Sequence, residues 1–218
     1  MELMEGRYFS MSKIGRGSYT IFTSLMIRFQ RKNTCGSVRP LLPRDSNVGR
    51  TTSHIRERIV DIHGWKLMGN HTHLLISERV ENGILLFTRK MSGYARYFNE
   101  RHKRHGPLLE RTKKVHVEDE AHFLYILHYI HLNGLDDFPD ARDWRVRDRG
   151  DIKNIAGALE HLRADRWSSY RDYCGIQNFP SILTKTLFEG KKGEYKTDLK
   201  AYLSDNSGAE GFDLNTLE

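Results

Sequence analysis

Apolar positions recur at helical spacing in some stretches of this chain and in short unbroken runs in others. Ile84, Phe87, Met91, Tyr94 and Phe98 lie three or four residues apart and predict a helix over 83–104, closed by Gly106-Pro107. Residues 59–62 and 65–67 predict a strand kinked at Gly64, and 73–76 predict the next strand after a turn at Gly69-Asn70. The run from His122 to Asn133 predicts a second helix, with Glu118, Asp119 and Glu120 suiting its first turn and Gly134 its C-terminal cap. Residues 19–23 alternate and predict a first strand, 31–55 read as a polar loop, and 115–117 as a short strand. A polar linker follows over 136–151, then a helix at 152–163, an aromatic knot at 167–170, and short helices near 181–189 and 194–203. The tail over 204–218 reads as disordered, and no internal repeat is found.

Two of these elements, a strand and a helix, carry a chemical pattern. In a strand, side chains at i and i+2 point to one face, so His71 and His73 can aim both imidazoles at a single divalent metal. On the second helix Tyr129 and Asn133 stand four residues apart and share a face. Asn133 can offer an amide oxygen to the same metal, which places the Tyr129 phenol beside it. Alone, each of these residues has a structural reading: a core histidine, a tied-off tyrosine, a helix-end asparagine. Tyr94, Tyr97 and Tyr125 compete as nucleophiles, but their i+4 neighbours are Phe98, Arg101 and Tyr129, which supply no amide or carboxylate oxygen.

Charge sharpens the picture. The 218 residues carry a net charge of +7, and the segment 84–117 holds nine Lys/Arg against Glu100 and Glu110. That excess points to an anionic partner, and the interleaved Tyr94, Tyr97 and Phe98 favour nucleic acid, because rings stack on bases while cations hold phosphates. No apolar run is long enough to span a membrane, and the N-terminus has no apolar leader. Cys35 and Cys174 are far apart, so neither a disulfide framework nor a zinc ribbon is expected, and the default compartment is cytoplasmic.

Residues 68–76 (MGNHTHLLI) resemble the His-hydrophobe-His signature of the single-tyrosine HUH transposases, and 129–133 (YIHLN) resemble the Tyr-x-x-x-Asn motif of their REP-associated branch. Residues 97–99 with 106–109, and 167–170 (WSSY), agree with the same branch, so the resemblance spans about 56–175. Gly69 and Gly134 stand where the family has proline, Thr72 where it has a hydrophobe, and 110–113 (ERTK) where it has Gly-Arg-Phe-Lys.

The resemblance implies an α+β, ferredoxin-like antiparallel sheet of four to five strands with helices on one face. A nuclease domain over 1–175 would precede a helical extension over 176–203. It implies metal-dependent nicking and rejoining of single-stranded or hairpin DNA through a 5′-phosphotyrosine. Mg²⁺ or Mn²⁺ would be held by His71, His73 and Asn133, with Tyr129 as nucleophile. Arg89, Arg96, Arg101, Arg104, Lys113 and Lys114 are expected to hold the DNA backbone, and Tyr97 and Trp167 to stack on bases. Monomer and homodimer are both compatible with this reading. The alternatives are a non-catalytic hairpin-DNA-binding relative, a replication-initiation or relaxase-type HUH nuclease, and a hydrolytic metallonuclease.

Overall fold

The computed structural model describes residues 6–12, 31–32, 57–69, 71–108, 112–117, 120–141, 144–145, 152–186 and 195–204. The strand expected at 19–23, the tail beyond 204 and most of the loop expected at 31–55 lie outside them. The architecture is mixed α+β. Strands β1 (Gly6–Ser12), β4 (Val60–Leu67), β5 (His71–Glu78) and β6 (Thr112–Val117) form an antiparallel sheet in the order β4-β5-β1-β6. A separate short pair joins β2 (Arg31–Lys32) to β3 (Glu57–Arg58).

The central strand β5 explains why layers form on two sides. Leu74 and Ile76 pack with Ile62, Trp65 and helix α1 (Gly83–Arg101), whereas Leu75 packs with helix α2 (Glu120–Leu132). Consecutive apolar residues on a strand point to opposite faces, so both must be covered. Each fully buried Leu or Ile here contributes about 1.5–3 kcal/mol. The expectation of helices on one face is therefore corrected: α1 and α2 cover opposite faces of β5.

Gly64 sets how closely α2 approaches the sheet. Strand β4 is bulged between Ile62 and Gly64. A Cβ built at Gly64 would lie 2.4 Å from Leu127 Cδ1 and 3.9 Å from Ile130 Cδ1, so any larger residue here must displace the Leu127 side chain. Helix α1 starts after Asn82, which holds a left-handed φ of 56°. It ends at Arg101, three residues before the expected 104, where Lys103 takes a left-handed φ of 49°.

Beyond α2 the structure departs from the sequence reading at two points. Gly134 is not a left-handed cap; the chain tightens into a 3₁₀ turn over Asn133–Asp137. Space is tight there: a Cβ would meet Leu162 Cδ2 at 2.8 Å, so a larger residue would have to push that side chain aside. Of the segment expected to be helical at 181–189, residues up to Lys185 are not helical, Thr186 is in a 3₁₀ turn, and 187–189 lie outside the described residues. Leu183 instead bridges Ile62 in parallel, with Thr184 N donating to the Ile62 carbonyl at 2.8 Å. That segment and Ser168, which bridges Lys66, cover the outer edge of β4.

Helices α3 (Ile155–Ala164), α4 (Tyr170–Tyr173) and α5 (Tyr195–Ser204) complete the described residues. Asn154 caps α3 through its side chain, accepting from Gly157 N at 2.8 Å. A buried polar relay ties three of these parts together. The Tyr195 hydroxyl donates to His131 Nδ1 (2.5 Å), His131 Nε2 donates to Ser169 Oγ (2.7 Å), and Ser169 Oγ donates to the Trp65 carbonyl (3.1 Å). Burial, and after it the charges of His128 and Lys66, keeps the His131 pKa well below its ordinary value, consistent with the neutral ring this relay needs. Tyr195, Leu199 and Leu203 share one core with α2.

Candidate metal and nucleophile site

His71 and His73 point into one spot. Their rings are nearly perpendicular, with centroids 4.6 Å apart, and their Nε2 atoms stand 2.8 Å from each other. Two imidazole nitrogens bound to one metal at about 2.0–2.1 Å sit roughly 3.0–3.4 Å apart, so a slight opening fits the pair to a divalent ion. His73 is buried, and its pKa lies well below the usual imidazole range. Burial is the first cause, followed by the positive charges of His71, Arg145 and Lys66. A neutral imidazole is the ligating form.

Helix α2 brings Tyr129 to this spot, and Asn133, one residue past the helix end, turns its side chain back onto the Tyr129 carbonyl. The Tyr129 ring lies 5.7 Å from His73, edge to face, and is 1% exposed. The Asn133 side chain is fully buried, and both ends of its amide are engaged. Its Nδ2 donates to the Tyr129 carbonyl at 2.7 Å, and its Oδ1 accepts from Arg145 Nη2 at 2.5 Å. The two partners fix the amide's orientation, since a carbonyl can only accept and a guanidinium can only donate.

Arg145 was not singled out by the sequence reading. Its guanidinium grips both oxygens of Asp136, lies 4.4 Å over the Trp144 ring and reaches 5.9 Å from the Tyr129 ring centroid. Trp144 Nε1 donates to Asp136 Oδ1 at 2.9 Å, so carboxylate, indole and guanidinium hold one another. Burial works against the Arg145 charge, but the Asp136 carboxylate and the Tyr129 phenol raise its pKa above the ordinary value. An acid three residues past Asn133 and a Trp-Arg pair in an otherwise polar linker were the signal available in the sequence.

A cleft of about 1000 Å³ opens beside the site, lined by Lys66, Met68, Gly69, Gly134, Asp137 and Trp167 among others. Lys66, the register partner of His73, pairs with Asp165 at 2.5 Å on its floor. Trp167 is half-buried, with the Arg166 guanidinium 5.0 Å over its ring.

The basic residues fall elsewhere. Arg89, Arg96, Arg101 and Arg104 are exposed on or just after α1, and Tyr97 is 59% exposed. Because α1 covers the face opposite His71 and His73, the fold does not gather these arginines around the histidine pair. Lys114 is exposed on the edge strand β6, and the Lys113 side chain lies outside the described residues.

No protein-family model and no curated protein matches the chain. Among solved structures, a REP-associated tyrosine transposase bound to a REP hairpin is similar at 11% identity and a TM-score of 0.42. The alignment covers 89% of this chain and 93% of that one. Among the described residues, no group of three or more His, Cys, Asp or Glu side chains is placed to hold a metal ion. No described helix is long and apolar enough to cross a membrane.

Proposed function

We propose that the chain is a single-tyrosine HUH nuclease of the REP-associated transposase kind, which nicks and rejoins single-stranded or hairpin DNA. The observation that carries this reading is the convergence of His71 and His73 on one spot, with the Tyr129 ring edge to face with His73. The strand order β4-β5-β1-β6 supports a ferredoxin-like sheet with the histidines on an interior strand. His71, His73 and the Asn133 amide oxygen would hold Mg²⁺ or Mn²⁺; when bound, that ion neutralises charge on a phosphate oxygen. Tyr129 Oη attacks the phosphorus and forms a phosphotyrosine ester as the bond to the 3′-oxygen breaks. The phenol proton ends on the departing 3′-hydroxyl. The reverse transfer rejoins strands without ATP, because one phosphoester replaces another. Lys113, Lys114 and the arginines of α1 would hold the DNA backbone.

A second reading, a non-catalytic DNA binder, draws on the near-complete burial of Tyr129 and the grip of Arg145 on Asn133. A labelled hairpin oligonucleotide incubated with the protein, with and without Mn²⁺, separates the two on a denaturing gel. The enzyme leaves a covalent protein–DNA band that Tyr129→Phe abolishes while DNA binding persists. A band surviving in Tyr129→Phe refutes the nucleophile assignment, and no band with the unaltered protein leaves the binder.

A further inference from the structure

We propose that Arg145 and a divalent cation compete for the Asn133 amide oxygen, so that metal loading is weak until a nucleic-acid phosphate draws the guanidinium away. This rests on the metal-site reading above. The Arg145 Nη2–Asn133 Oδ1 distance of 2.5 Å puts a full positive charge on the one oxygen donor expected to complete the histidine pair. The guanidinium is no loose surface group: Asp136 grips it through two oxygens, and the Trp144 ring stacks beneath it. It stays protonated at any working pH. A cation arriving at His71 and His73 therefore meets a like charge at a part-buried position, where screening by water is reduced.

A phosphate changes that balance. Its paired oxygens match the guanidinium fork as well as the Asp136 carboxylate does, and they bring negative charge that the cation also seeks. Arg145 reaches toward the Tyr129 phenol, the atom a reacting phosphate must approach. One movement of the guanidinium, from Asn133 to phosphate, thus frees the amide oxygen and seats the substrate. Arg145 is a positioning residue in this scheme.

The test is direct Mn²⁺ binding to the full chain, followed by electron paramagnetic resonance of the free ion. It is run with and without a short single-stranded oligonucleotide. Without oligonucleotide, Arg145→Gln is expected to bind Mn²⁺ about tenfold more tightly than the unaltered protein. The oligonucleotide should tighten the unaltered protein and change Arg145→Gln much less. Arg145→Lys keeps the charge but cannot grip Asp136 and Asn133 together. It should fall between the two, and it keeps the test alive if Arg145→Gln does not fold. Affinity unchanged or weakened in the Arg145 variants overturns the proposal while leaving the metal site standing. Mn²⁺ binding that His71→Ala and His73→Ala do not remove overturns the metal site, and the competition with it.

Discussion

Replacing Gly64 with alanine tests the closeness of the Tyr129 helix to the sheet. The added Cβ would sit 2.4 Å from Leu127 Cδ1, inside an ordinary carbon contact of about 3.5–4.0 Å by roughly 1 Å or more. Leu127 is fully buried, so either its rotamer or the helix must move. Overpacking of this kind costs about 1–3 kcal/mol. For a chain of this size each kcal/mol lowers Tm by about 2–4 °C. Leu127→Ala alone should cost about 2–5 kcal/mol through the cavity it leaves. In the double variant the new methyl enters space that Leu127 vacated, so the two costs should not add. The double variant should be at least about 1 kcal/mol more stable than their sum. Urea unfolding followed by fluorescence of the buried Trp65 and Trp144 measures all four proteins. Additivity within about 0.5 kcal/mol would show that residue 64 does not set the helix position.

Other expectations follow from the same structure. Lys66→Met leaves the Asp165 carboxylate, among the described residues, with the Trp167 amide as its hydrogen-bond partner and should cost about 3–5 kcal/mol, part of which Lys66→Met/Asp165→Asn restores; an unchanged melt sinks this. His63 donates from Nδ1 to the Thr184 carbonyl and accepts at Nε2 from Ser77, and burial depresses its pKa against the opposing pull of Thr184 and Asp61. The unfolded chain therefore takes this proton first as pH falls. The stabilisation is full above pH of about 6.5 and is lost on acidification toward the folded pKa, at about 1.4 kcal/mol per unit of depression. His63→Gln should flatten that acid slope in denaturant melts, and an unaltered slope counts against it. Arg89→Ala and Arg96→Ala should each lower the salt slope of single-strand binding by about 0.7. Unchanged slopes would remove the outer face of α1 from the DNA path.

The pieces of the site that were legible from sequence are those fixed by local periodicity. His71 and His73 share a face because any strand puts i and i+2 together, and Tyr129 and Asn133 share one because any helix puts i and i+4 together. What periodicity cannot report is which face a neighbouring element covers. The basic helix α1 shares a sheet with the histidines, yet Leu74 and Ile76 claim it for the opposite side. Strand β1 carries no clean alternation, because Gly6, Ser10 and Ser12 interrupt it; its place comes from pairing with β5 on one side and β6 on the other. Gly134 was misread for a related reason. A glycine after a helix usually signals a left-handed turn, but here the constraint is the Leu162 side chain, 28 residues away in sequence. Arg145 lay hidden in a polar linker, since a charged side chain reveals its partners only in three dimensions.

The relay from Tyr195 through His131 and Ser169 to Trp65 has a consequence for how a newly made chain matures. Synthesis proceeds from the N-terminus, so the histidine strand and the tyrosine helix leave the ribosome well before α5 does. Until Tyr195 arrives, His131 lacks its Nδ1 partner in the last turn of the helix that carries Tyr129. The helix that presents Tyr129 therefore gains this buried hydrogen bond only once α5 has been made.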